Sequence, residues 1–286
     1  MDPVSLAILQ SWDFRLEVLV LILLAGVVFT RGWKRLHGAE NKRSDKWRFM
    51  AYWSGLLILV LSLVSPIDVL GGQLFAMHMF QHLLLIMIVP PLLLLANPFP
   101  FLVWGLPKSL RTAIGRWLRP DAPFRQGLAA LTRPNWAWFA FVVFFIGWHD
   151  PNAYNAALQY EWVHDLEHLT FFFPAVVFWW QIIPAAPRLR KPMLPGLQIA
   201  FLGSVIPVNM LIGIALAFAQ TPVYTYYIGV PRLWGLSVMQ DQMLAGTMMW
   251  IPGSMMYLVA VLVLVARFLK TEKDQAAPLR IAEETR

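Results

Sequence analysis

The run Leu74–Ala96 contains no Lys, Arg, Asp or Glu, and it constrains the chain more than any other stretch. At about 1.5 Å per residue, a helix of this length covers the roughly 30 Å hydrocarbon layer of a bilayer. His78 and His82 stand near its start, four apart and therefore on one helical face. An ionisable side chain inside such a run usually faces the interior of a bundle and marks a functional site. The bland alternative puts both rings at the headgroup level, bonded to backbone or water. Pro90 and Pro91 near the far end each lack a donor and leave a carbonyl one turn earlier unpaired, which predicts a kink.

Six further apolar runs occupy 14–30, 47–65, 135–148, 163–183, 196–219 and 241–268, alongside the His-bearing run at 74–96. With 58% hydrophobic and 14% charged residues, the chain is too apolar for a soluble domain of its size. The expectation is an all-α polytopic integral membrane protein, a bundle of seven transmembrane helices forming one domain over residues 1–286. The N-terminus has no basic cluster and does not read as a cleavable signal peptide. The run 135–148 is short for a span, so it starts before Pro134 or continues past His149. Between spans, Asn97–Pro134 reads as surface. Within it, 108–119 alternates Leu110, Ile114, Trp117 and Leu118 with Lys108, Arg111, Arg116 and Arg119, which suits an interfacial amphipathic helix. Pro184–Pro195 reads as a short basic turn, and 270–286 as a flexible tail.

Seven spans divide the basic residues unequally. Segments 31–48, 97–134 and 184–195 and the tail from Arg267 hold 7, 6, 3 and 5 of the 23 Lys and Arg, leaving only Arg15 and Arg232 opposite. Positive charge collects on the cytoplasmic side, so the N-terminus is expected outside and the C-terminus in the cytoplasm. The net charge of +7 is then a topology signal, and nucleic acid is not an expected partner.

This topology gathers five of the six histidines at the outer ends of spans. His78 and His82 open the third, His149 closes the fourth, and His164 and His168 open the fifth, again four apart. His37 falls in a cytoplasmic loop, where the solvated reading is the better one. Imidazole suits copper, zinc, iron and nickel, and with no cysteine in the chain a soft metal would have to use His and Met. Met77, Met79, Met239 and Met243 flank the same positions, although methionine is more often a gap-filler. Glu167 and Asp241 are candidates to ligate or to orient an imidazole, and both also make sense as early residues of their helices. The phosphate-binding glycine loop, the nucleophile elbow and the His-Glu-x-x-His zinc helix are all missing. A catalytic role is not expected. The residues alone reach a metal-competent cluster, with copper or haem both open.

Three blocks carry a resemblance: HMFQHLLLIMIVPPLLLL from His78, WHDPNAYNAALQYEWVHDLEHLTFFFPAVVFWW from Trp148, and DQMLAGTMMWIPGSMMYL from Asp241. With YWSGLLILVLSLVSPIDVL from Tyr52, the chain resembles the CtaG-type cytochrome c oxidase assembly factors associated with caa-type oxidases. The resemblance implies a multi-pass protein of the bacterial plasma membrane that handles copper for oxidase subunits, supplied by a periplasmic or extracellular donor protein. Carried over by position, the metal residues are His78, His82, His149, His164 and His168, with Asp241 supporting. The competing expectations are a haem b electron-transfer protein and a copper transporter.

Overall fold

Prolines and short polar residues cut the apolar runs into helices. The first two helices are α1 (Leu16–Leu36) and α2 (Asp45–Val64). Ser65 caps the next, α3 (Pro66–Gly71): its hydroxyl accepts from Ile67 N, and Pro66 fills the first position, where no donor is needed. The His-bearing run then begins as α4 (Phe75–Leu83), passes through one π turn at Leu84–Ile88 and resumes as α5 (Val89–Leu95). The expected kink is resolved as this π turn. Pro90 has no N–H for the Ile86 carbonyl, and Trp179 Nε1 donates to that oxygen at 2.9 Å instead.

The computed structural model describes residues 7, 10–36 and 45–284, without the side chains of 45 and 272–284. His37 lies outside the described residues. Among them no strand occurs. Five helices are long and apolar enough to cross a membrane, or six if a bent pair counts as one span, as a multi-pass membrane protein requires. All seven apolar runs are helical. The two that fall short alone are α9 (Pro134–Trp148), with 15 residues, and α11 (Glu161–Trp180), whose first two turns hold His164, Asp165, Glu167 and His168. The bent pair joins α8 (Pro123–Leu131) to α9 at 53°. The short fourth run is thus extended on its near side by α8. Beyond His149 the chain turns into α10 (Pro151–Gln159), capped by Asp150 accepting from Asn152 N and Ala153 N.

The segment Asn97–Pro134 departs from its reading as surface. Its first part is α6 (Pro98–Gly105), which packs into α1. A Cβ on Gly32 would stand 1.7 Å from Phe101 O, and one on Gly105 1.9 Å from Val28 O, so the two backbones touch where no side chain fits. Phe29, Tyr52 and Phe101 fill the space beside this crossing. The interfacial segment folds as α7 (Lys108–Trp117), with no buried residue. After the irregular stretch 181–194 come α12 (Pro195–Gly203), α13 (Val205–Phe218) and a 3₁₀ turn at Thr225–Ile228. The last are α14 (Val238–Met248), a second π turn at Met249–Gly253, and α15 (Ser254–Glu284), which continues past the boundary at 268 read from the sequence. The main core joins α4, α9, α11, α13 and α14 through Met79, Phe141, Phe171, Phe178, Leu216 and Ala245.

Candidate metal centre

Spacing alone puts His78, Gln81 and His82 on one face of α4 and His164, Glu167 and His168 on one face of α11. The fold brings the two faces together. His78 and Glu167 are completely inaccessible to solvent, His82 and His168 are buried, and His164 is half-buried. His78 Nε2 and His82 Nε2 are 2.9 Å apart. Ring centroids lie at 5.2 Å for His78–His164, 5.5 Å for His82–His168 and 4.1 Å for His164–His168.

Glu167 occupies the middle of this group. Its Oε2 is 3.5 Å from His78 Nε2 and its Oε1 3.9 Å from His82 Nε2. Among the described residues neither carboxylate oxygen has a hydrogen-bond partner, nor do His82 Nδ1 or His168 Nε2, although all four atoms are buried. A buried carboxylate among imidazoles and without a hydrogen-bond donor is costly in a neutral core, and a cation is the complement it lacks. Among the described residues three sets of ligand atoms lie within 4.8 Å of one another: His78, His82 and His168; His78, His164 and Glu167; and Asp68, His164 and His168. The first set is fully buried. The third forms a rim, with Asp68 and His164 partly exposed.

Hydroxyls outside the spans orient this group. Tyr227 OH donates to Gly71 O at 2.8 Å and stands 3.4 Å from His78 Nδ1. Its oxygen thus accepts from His78 Nδ1–H, an assignment that rests on the bonding pattern, and His78 Nε2 keeps its lone pair for the centre. Tyr154 OH joins this pair at 3.2 Å from Tyr227 OH. Burial pushes both tyrosine hydroxyls well above their ordinary range, so they remain donors. On the rim, Gln81 Nε2 donates to Ser62 O at 2.7 Å and to Asp68 Oδ1 at 2.6 Å. Burial pushes the Asp68 carboxyl up to about 6 against the opposing bond from Gln81.

Two of the expected metal residues stand elsewhere. His149 is one layer away: Nδ1 faces Phe145 O, and its buried Nε2 has no hydrogen-bond partner. It lines a cavity of about 20 Å³ with His82, Met79, Met87, Asn209 and Met249. Asp241 is a helix cap. α4 has no cap of its own, and the Asp241 oxygens accept from Phe75 N at 3.0 Å and Ala76 N at 2.9 Å, with Arg232 NH2 on Oδ2 at 3.1 Å. Its acceptors face the helix that carries His78 and His82, so it positions them and is fully engaged in doing so. Met79 is core, and Met243 is 49% exposed and turned outward. Sequence reasoning missed Asp68 and Gln81 as members of the group. Asp68 had one signal, being the only charge between the second and third runs. Tyr154 and Tyr227 had none.

The basic residues opposite the main positive side are also explained. Arg15 holds Asp165 with two bonds, at 2.6 and 2.7 Å, and Arg232 holds Asp241. The Asp165 partnership raises the Arg15 guanidinium further above its ordinary range. Both cations are structural pins beside the centre.

Comparison with known proteins bears on this arrangement. A family model described as cytochrome c oxidase caa3 assembly factor matches residues 27–271. Uncharacterized proteins of Mycobacterium bovis and Mycobacterium tuberculosis are each 29% identical over 96% of this chain and 42% of their own length. One of Mycobacterium leprae is 25% identical over 91% of this chain and 40% of its own. The chain therefore spans about two fifths of the curated relatives it matches. No solved structure matches.

Proposed function

Because the chain belongs to the cytochrome c oxidase caa3 assembly factor family, we propose that it is a membrane-embedded assembly factor that binds copper at its histidine cluster and delivers it to the oxidase. The observation that carries this reading is Glu167, a fully buried carboxylate without a hydrogen-bond donor, surrounded by four imidazoles. That donor set of nitrogen and oxygen suits copper, and the family description supplies the recipient.

Copper is cargo here. It is captured at the half-exposed rim by Asp68 and His164, passes to the buried set of His78, His82 and His168 by ligand exchange, and leaves the same way. Glu167 balances the charge of the ion at each stage. Tyr227 keeps the lone pair of His78 on the inside, and Asp241 fixes the start of α4. No bond of a substrate is made or broken, so this is metallochaperone work. In the same reading all seven helical runs cross the bacterial plasma membrane, with the histidine end outside, where a donor protein loads it and oxidase subunits unload it. The basic residues collected at the other end support that orientation.

The packing favours cargo over haem. His78 and His82 meet at 2.9 Å and their rings pack against those of His164 and His168, which leaves no slot for a macrocycle between them. It also favours delivery over transport. The cavity below the cluster is about 20 Å³ and is walled by Phe145, Phe171, Met249 and Tyr257.

The test is bound copper in purified wild type, His78→Ala/His82→Ala, His164→Ala/His168→Ala and the quadruple variant, with oxidase activity of the same cells. Each double variant should lose nearly as much copper as the quadruple, because ligands of one site are not additive. A quadruple variant that binds copper like wild type and still matures active oxidase would overturn the proposal.

A further inference from the structure

The last turn of α11, the 184–195 segment and α15 enclose a groove of about 580 Å³ at the end of α11 opposite its histidines. Its lining combines apolar Trp180, Ile182, Leu264 and Phe268 with the cations Arg188, Arg190, Lys191 and Arg267. No acidic side chain among the described residues lines it. Among the described residues none of these four cations pairs with a carboxylate, whereas Arg15 and Arg232 at the other end both do. The crowding is felt locally: burial and the charge of Arg133 lower the Arg190 guanidinium below its ordinary range. Unpaired like charges repel, and a groove that keeps them together with apolar side chains is complementary to one kind of molecule.

We propose that this groove binds one anionic phospholipid, its phosphate held by Arg188, Arg190, Lys191 and Arg267 and its acyl chain laid along Leu264 and Phe268. The basic residues give the headgroup charge a partner, and the apolar residues give the chain a surface that free phosphate would leave empty. The site stands apart from the copper reading and shares no residue with it.

The experiment is native mass spectrometry of the full chain released from nanodiscs of phosphatidylglycerol and phosphatidylcholine, counting lipids retained per chain. Wild type should keep one phosphatidylglycerol, and excess inorganic phosphate should not displace it. Replacing Arg188, Arg190, Lys191 and Arg267 by Gln should weaken retention at least about a hundredfold, at about fivefold per charge. Lysine at the three arginine positions should preserve it, which separates charge from misfolding. Lys108→Gln/Arg111→Gln/Arg116→Gln, on α7 outside the groove, should change little. Equal retention of phosphatidylcholine, displacement by phosphate, or an equal loss in the α7 variant would each overturn the proposal.

Discussion

Replacing Glu167 by Gln should move two properties of this protein in opposite directions. In the metal-free chain the Glu167 side chain is inaccessible and both oxygens lack a hydrogen-bond partner. Leaving a buried acceptor unsatisfied costs about 1–3 kcal/mol, and more when it is charged. Glutamine has nearly the same shape, and its amide group can donate to His78 Nε2 or accept from His82 Nε2, now 3.5 and 3.9 Å from the carboxylate oxygens. The metal-free variant should therefore be more stable by about 1–3 kcal/mol, as when a poorly paired buried charge is neutralised. Copper should be held about 10–100-fold more weakly, because the ion loses the one carboxylate that faces it in the buried set. Denaturant unfolding in mixed micelles reads the first effect, and competition with a Cu(I) chelator reads the second. A metal-free variant that is less stable than wild type would show that Glu167 is satisfied by the protein itself. Unchanged copper affinity would remove it from the site.

Asp241→Asn should cost about 2–4 kcal/mol, since it weakens the bonds to Phe75 N and Ala76 N and leaves Arg232 without its partner. The folded fraction should still bind copper at wild-type stoichiometry; loss of copper from folded protein would make Asp241 a ligand. For orientation, a cysteine at exposed Gln159 should react with an impermeant maleimide in whole cells and one at exposed Ser109 only after lysis. The reverse pattern would put the histidines in the cytoplasm. Asp68 is raised from 3.8 to about 6, so the folded state holds that proton more tightly than the unfolded one. Its contribution is fully present below about 4 and is lost as pH rises through about 6. Metal-free wild type should lose stability over that window more steeply than Asp68→Asn, and parallel curves would refute the assignment.

The helices were legible because burial in lipid leaves a coarse trace: long runs without charge, and a fixed spacing of four for each histidine pair. That spacing needed no knowledge of tertiary structure to put two rings on one face. The meeting of α4 with α11 was legible only as an expected shared end of the bundle. Asp241 shows where such reading stops. Its partners Phe75 N and Ala76 N are backbone atoms 166 and 165 residues away, and nothing in a sequence announces an uncapped helix waiting for a remote carboxylate. The aim of His149 was illegible for a related reason, since a residue just past a helix end is aimed by how α9 turns into α10. The π turn at Leu84–Ile88 was half legible: the prolines gave the defect, and Trp179 decided its form. Pro98–Gly105 looked like surface because it is too short to span, and its docking depends on two missing side chains, at Gly32 and Gly105.

His168 belongs to both the rim set and the buried set. Under the proposed copper reading, a ligand shared through one nitrogen would make the two stations exclusive. The centre would then work as a turnstile. A second ion could not wait at the rim while the first is inside, and the chain would count its cargo to one without any sensor of occupancy. Throughput would follow the rate at which the oxidase takes the ion away, however much copper stands at the door.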